Sequence, residues 1–244
     1  MTDPILKIGQ AGLETTEEKV KALTNRMVNA ETPGFKGSEV VVRSFPLELA
    51  AAEKRLQPEK PQVDGTKINF ARGSLIRTGN QTDLALGADG FFTVLCPWGE
   101  GYTRDGRFEV DPQGRVVTVA GKFPLLGQNG PIVVTPGSEI SISSQGEVKT
   151  DQSVSDRLRI VNFQNQQELE QVNGSIFKTA AAQPAVIDVE SPRLVQGYVE
   201  ASNSNVVDET MNLILLNRIF TLDTKIVSTR DTMLSRAIEM GKTQ

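Results

Sequence analysis

Residues 205–240 read NVVDETMNLILLNRIFTLDTKIVSTRDTMLSRAIEM, and the spacing of the apolar side chains in this stretch sets the expectation for the whole chain. Val206, Leu213, Phe220, Val227 and Leu234 recur every seven residues, and Ile219, Ile226, Met233 and Met240 repeat in the same way one stripe over. A seven-residue repeat returns to the same side of an α-helix after two turns, so the stretch predicts a long helix with a broad apolar face. Asn205 offers a side-chain acceptor for free N–H groups at the start, and Asp208 places an acid in the first turn, where the helix dipole favours it. No Gly or Pro interrupts the pattern until Gly241. At about 1.5 Å per residue such a helix runs roughly 54 Å, longer than a compact domain of this size needs.

The N-terminus carries the same period. Asp3 before Pro4 reads as a cap and first-turn pair, because Pro has no N–H to leave unsatisfied there. Leu6, Leu13, Val20 and Met27 then recur at seven, with Leu23 between them. Gly9 and Gly12 each weaken this helix by roughly 1 kcal/mol relative to Ala. It ends before Thr32-Pro33-Gly34-Phe35, since Pro33 forces Thr32 out of the helical region and Gly34 supplies the positive φ of a turn. Both stripes have two readings: a helix pair, or a helix packed on the rest of the chain, within one molecule; or packing between subunits, which two long terminal helices leave surface to support.

Between the helices, from about Gly37 to Glu200, the pattern is β. The runs 91–95, 115–119 and 158–163 are rich in β-branched and aromatic residues and sit between turn signals. Asp105-Gly106 predicts a tight hairpin between Tyr102-Thr103 and Phe108-Glu109-Val110, and Asp111-Pro112-Gln113-Gly114 a type I turn. Residues 47–67 show a short helical pattern at Leu47–Leu56, then Pro58 and Pro61, and read as part of an extended connector.

Composition excludes much chemistry. Among 244 residues there is no His and one Cys, so Ser-His and Cys-His nucleophile pairs, His-ligated zinc and an internal disulfide cannot be built. With 26 basic against 30 acidic side chains, a net charge of −4 and 5% aromatics, neither a nucleic-acid grip nor a stacking platform is furnished. No basic and apolar leader and no transmembrane run is visible. Asp83, Asp89, Asp105, Glu109 and Asp111 are close enough in sequence to suggest a glycosidase pair, but Asp89-Gly90, Asp105-Gly106 and Asp111-Pro112 are turn residues. The loops 87–90 and 127–130 lack the spacing of a phosphate loop, and Cys96 reads as a small buried apolar residue. No catalytic, cofactor or metal residue is assigned.

The segment Asn25-Arg26-Met27-Val28-Asn29-Ala30-Glu31-Thr32-Pro33-Gly34-Phe35-Lys36 resembles the N-terminal signature of bacterial flagellar rod and hook proteins. Asp83-Leu84-Ala85-Leu86 through Gly90-Phe91-Phe92, then Tyr102-Thr103-Arg104-Asp105-Gly106 and Gly114-Arg115-Val116-Val117-Thr118, is similar to that family's β core. Gly197-Tyr198-Val199-Glu200-Ala201-Ser202-Asn203 with the helix after it is similar to its C-terminal signature. The resemblance implies an α+β fold in which paired N- and C-terminal coiled-coil helices (1–36 and 201–244) form an inner domain. A connector (37–78) and a mainly antiparallel β domain (79–200) complete the expectation.

The resemblance further implies a structural subunit of the basal-body rod, not an enzyme, that carries torque across the periplasm. Its implied partners are copies of itself, other rod subunits and the flagellar type III export apparatus, through which it leaves without a cleaved signal. Nucleic acid, cofactors and membrane insertion are not implied. The length and the ending 231–238 favour the proximal rod over the distal rod or hook. The expected assembly interface comprises Leu13, Val20, Leu23, Asn25, Met27 and Asn29 on one helix with Leu213, Phe220, Val227 and Leu234 on the other, and Thr32, Pro33, Gly34 and Phe35 form the turn into the connector. A peptidoglycan-acting enzyme or a binding module are the rival classes.

Overall fold

The computed structural model describes residues 4–43, 62–135, 137–150, 153–179 and 185–242. It is an α+β chain with antiparallel pairing throughout its described sheets, divided into two compact units.

The first unit holds helix α1 (Pro4–Val28) as far as Met27, strands β1 (Ser38–Arg43) and β2 (Gln62–Ile68), and helix α2 (Val206–Lys242). α2 starts where the cap places it: Asn205 Oδ1 accepts from Val207 N at 3.0 Å and the Asn205 carbonyl from Glu209 N at 2.9 Å. On α2, Leu213, Leu216, Asp223, Val227 and Arg230 are half-buried at steps of three, seven, four and three residues, so one face is partly covered. On α1, Ala11, Thr15, Thr16 and Leu23 are buried. The two helices meet where Arg26 pairs with Glu209, and again where a Cβ on Gly12 would lie 3.6 Å from Asp223 Oδ2. Moving back from Arg26 to Gly12 on α1 advances by an equal number of residues from Glu209 to Asp223 on α2, so the contacts run antiparallel.

Part of the expected connector is a ladder: β1 pairs antiparallel with β2, with a register shift between Val41 and Val42 opposite Gly65, whose φ is +125°. The bulge and the two prolines upstream of β2 hide the alternation that announces a strand. The helical pattern expected at Leu47–Leu56 lies outside the described residues.

The second unit comprises Val28–Gly37 and Phe70–Ser204. Its centre is a six-stranded sheet in the spatial order Leu169–Asn173, Ile176–Thr179, Gly99–Thr103, Phe91–Cys96, Ile160–Phe163 and Val186–Asp188. The Phe91–Cys96 strand is covered on both faces, which explains its nearly continuous apolar sequence. Phe92, Val94 and Cys96 join a core with Leu84, Phe108, Leu125 and Ile132. Phe91, one residue along and so on the opposite face, meets Phe70, Phe163 and Phe177 edge-on at 5.7–5.8 Å.

The turn at Asp111 is as expected: Gly114 N donates to the Asp111 carbonyl at 2.9 Å, and the flanking strands Phe108–Val110 and Val116–Thr118 pair. The hairpin expected at Asp105-Gly106 is not formed. Gly99–Thr103 pairs with Phe91–Cys96 and Ile176–Thr179 instead, and Gly106 lies so close to the Leu84 carbonyl that a Cβ would stand 1.6 Å from the oxygen. The glycine is there for a close backbone approach, not for a two-residue turn.

Candidate assembly site

Two sets of residues are candidates, and each lies within its own unit. In the β unit, the turn after α1 is held by three buried charges. Lys36 Nζ lies 2.6 Å from Glu200 Oε1 and donates to the Ala71 carbonyl at 2.8 Å; Arg104 Nη1 donates to Glu200 Oε2 at 3.0 Å; Gly73 N donates to Oε1 at 3.0 Å. Lys36 and Glu200 are each 1% exposed. The Arg104 guanidinium also rests over the Phe91 ring, 5.3 Å from its centroid. Burial, with Arg104 and Arg72 nearby, lowers the Lys36 pKa against the opposing pull of Glu200, and burial likewise lowers that of Arg104.

Backbone contacts close this arrangement. Gly34 N donates to the Glu200 carbonyl at 2.7 Å, Gly37 N to Asn203 Oδ1 at 2.8 Å, and Phe35 is fully buried. Gly34 has φ +68° and its Cα faces the Arg104–Asp105 peptide, where a Cβ would come within 2.2 Å of backbone atoms. Of the expected turn residues, Thr32 and Pro33 are half-buried while Gly34 and Phe35 are buried. Asn29 caps the approach: its carbonyl accepts from Thr32 N at 3.0 Å and its Oδ1 from the Thr32 hydroxyl at 3.4 Å.

In the helical unit, Leu23 is buried, Leu13, Val20, Met27, Leu213 and Val227 are half-buried, and Asn25 is exposed. Phe220 falls in the half-buried row of α2 yet stays 45% exposed, and the Leu234 side chain lies outside the described residues. The neighbouring stripe, Met211, Leu215, Ile219, Leu222, Ile226, Met233 and Met240, is exposed along the helix, Leu222 at 60% and Met211 at 66%. The helix's hydroxyls are turned inward: Thr210, Thr221, Thr224, Ser228 and Thr232 each donate to a carbonyl three or four residues back. These hydroxyls lie on a different face of the helix from the exposed apolar stripe.

The carboxylates weighed as a catalytic pair serve local structure. Asp105 binds Arg107, Asp111 binds Arg115, Glu109 binds Lys122, Asp89 binds Arg72, and Asp83 accepts from Asn80. Cys96 is buried, and burial pushes its thiol up to about 11. Among the described residues no cluster of His, Cys, Asp or Glu is placed to hold a metal ion, and no helix is long and apolar enough to cross a membrane.

Residues 85–150 match the family model described as the flagellar hook protein FlgE/F/G D1 domain, and residues 195–240 match the flagellar basal body rod FlgEFG protein C-terminal model. The chain is 30% identical to the flagellar basal-body rod protein FlgG of Buchnera aphidicola subsp. Acyrthosiphon pisum over 97% of its length and 99% of the relative's. The chain belongs to the flagellar basal-body rod protein family. The basal-body rod protein FlgF of Caulobacter vibrioides is also 30% identical, over 98% of this chain and 99% of that one, and FlgF of Salmonella typhimurium 31%, over 96% and 95%.

The three stretches that carry the family resemblance each contribute one member of the buried ion cluster: Lys36, Arg104 and Glu200. Sequence reasoning quoted all three stretches without pairing them. The signal it lacked was distance along the chain, since Lys36 and Glu200 are 164 residues apart. It gave Arg26 and Glu209 no contact, and it placed the exposed Met211, Leu215 and Leu222 in no interface.

Proposed function

We propose that this rod-family subunit polymerises through α1 and α2 into the tubular shaft that transmits torque across the periplasm, the two helices pairing as an antiparallel coiled coil in the inner layer. The observation that carries this reading is the apolar stripe Met211, Leu215, Ile219, Leu222, Ile226 and Met233, exposed over most of α2. A stripe of that length on a well-formed helix is completed by neighbouring helices, because burying each Leu, Ile, Met or Phe is worth about 1.5–3 kcal/mol. Its partners are copies of itself and other rod subunits, met after type III export without a cleaved signal. The β unit, with its own closed core, is carried on the shaft as a structural element and performs no catalysis.

A position in the proximal rod is supported by length: alignment with the Caulobacter FlgF spans 246 positions, close to the chain's 244, whereas alignment with the Buchnera FlgG spans 261. Mass spectrometry of purified basal bodies tests the proposal. The chain is expected in fixed ratio to the other rod components, and intact basal bodies that lack it would refute the assignment.

A further inference from the structure

Arg26 joins three elements of the helical unit. Its Nη2 donates to Glu209 Oε2 at 2.8 Å and its Nη1 to the Ser38 carbonyl on β1 at 2.8 Å, while Nε sits 2.8 Å from Glu209 Oε1, a charge contact off the hydrogen-bonding line. Both side chains are largely buried, at 17% and 10% exposure. Arg26 lies in the last turn of α1 and Glu209 in the first turn of α2, so each charge meets the end of its own helix dipole that favours it.

The apolar rows around this pair cannot specify how the helices are set against each other. Leu6, Leu13, Val20 and Met27 repeat at seven, as do Leu213, Phe220 and Val227. Sliding one helix past the other by seven residues returns each of these rows to an equivalent position, so the repeat alone does not choose between registers. One such slide brings Arg26 opposite Leu216 and Lys19 opposite Asp223; the other carries Arg26 past the start of α2, to Ser202, and puts Lys19 opposite Glu209. Each slipped register keeps an ionic contact through Lys19, so helix charge alone does not forbid it. What both lose is the two-pronged Arg26–Glu209 pair together with its tie to Ser38. A polar contact placed once in a repeating apolar seam is the device by which helix pairs select one register.

We infer that the Arg26–Glu209 pair, tied to β1 through the Ser38 carbonyl, is the register lock of the terminal helices. It sets which stripe of α2 is left facing outward for the neighbouring subunit. The inference rests on the antiparallel pairing proposed above. Arg and Glu act here as positioning residues; the apolar stripe makes the assembly contacts.

Register is read by disulfide trapping in assembled basal bodies of the full chain. Gly12→Cys with Asp223→Cys reports the native register, and Lys19→Cys with Asp223→Cys the slipped one. Cys96 can stay in place, because its buried thiol, pushed up to about 11, is slow to react. Arg26→Leu alone would strand Glu209 as a buried charge, so the decisive variant is Arg26→Leu with Glu209→Leu, which leaves no unpaired charge.

With Arg26 and Glu209 in place, the 12–223 link is expected and the 19–223 link is not. In the double-leucine variant the 12–223 link is expected to fall several-fold and the 19–223 link to emerge. If the double-leucine variant keeps the unaltered linking pattern, the lock is refuted while helix pairing stands. If neither pair links in otherwise unaltered subunits within intact basal bodies, antiparallel pairing itself is refuted, and the lock with it.

Discussion

The two units treat large apolar side chains in opposite ways. In the β unit Phe92 and Val94 are fully buried, whereas on α2 Phe220 is 45% and Ile226 59% exposed. The β unit even buries charges, and it does so by giving the Glu200 carboxylate two cations and a backbone N–H. One unit is thus complete as a single chain. The other has the caps, internal hydrogen bonds and antiparallel helix contacts of a finished structure but keeps a stripe of apolar surface in reserve. The middle of the sequence closes an apolar core within one chain, whereas α2 keeps large apolar side chains on its surface.

The contrast breaks most readily at Glu200. Glu200→Ala leaves Lys36 and Arg104 buried without their counter-charge, and a loss of about 3–5 kcal/mol is expected in denaturant unfolding of the β unit. Phe92→Ala opens a cavity in the main core, and its cost, about 3–5 kcal/mol, should be close to that of Glu200→Ala in the same assay. Met211→Ala, on the exposed stripe, should change the free subunit's stability by no more than about 0.5 kcal/mol, so a large destabilisation would show that the stripe is covered within one chain.

A smaller effect sharpens the account of the ion cluster. Because burial lowers the Lys36 pKa, the folded state binds fewer protons than the unfolded state between that lowered value and 10.5. Stability of the β unit should therefore rise with pH through that window, and Lys36→Met should remove the rise. Cys96 provides the mildest test: with its thiol pushed up to about 11, alkylation at pH 8 should be slow in the folded chain and become fast only on unfolding.

What the sequence made legible was local. The Asn205 cap, the heptad rows of α1 and α2, the end of α1 ahead of Pro33 and the Asp111–Gly114 turn all depend on residues within two helical turns of each other. What escaped depends on contacts across the chain. Gly106 looks like a hairpin glycine until the Leu84 carbonyl is placed against it. The β1–β2 ladder is disguised by its bulge and by Gly65. Lys36, Arg104 and Glu200 each stand in a quoted motif, but no periodicity connects residues 96 or 164 positions apart. Arg26 and Glu209, 183 apart, look in sequence like any charges near helix ends. The candidate interface was half legible for a related reason: the repeat identifies two apolar stripes on α2, but only the packing of α1 separates the partly covered one from the open one.

The open stripe of α2 is proposed as an assembly surface and not part of the subunit's own core. The most direct measurement is the amount of an Ile226→Asp subunit in purified basal bodies, taken together with the thermal unfolding of its β unit. The variant is expected to be absent from basal bodies while the β unit unfolds at the unaltered temperature. Incorporation at the normal ratio would contradict it.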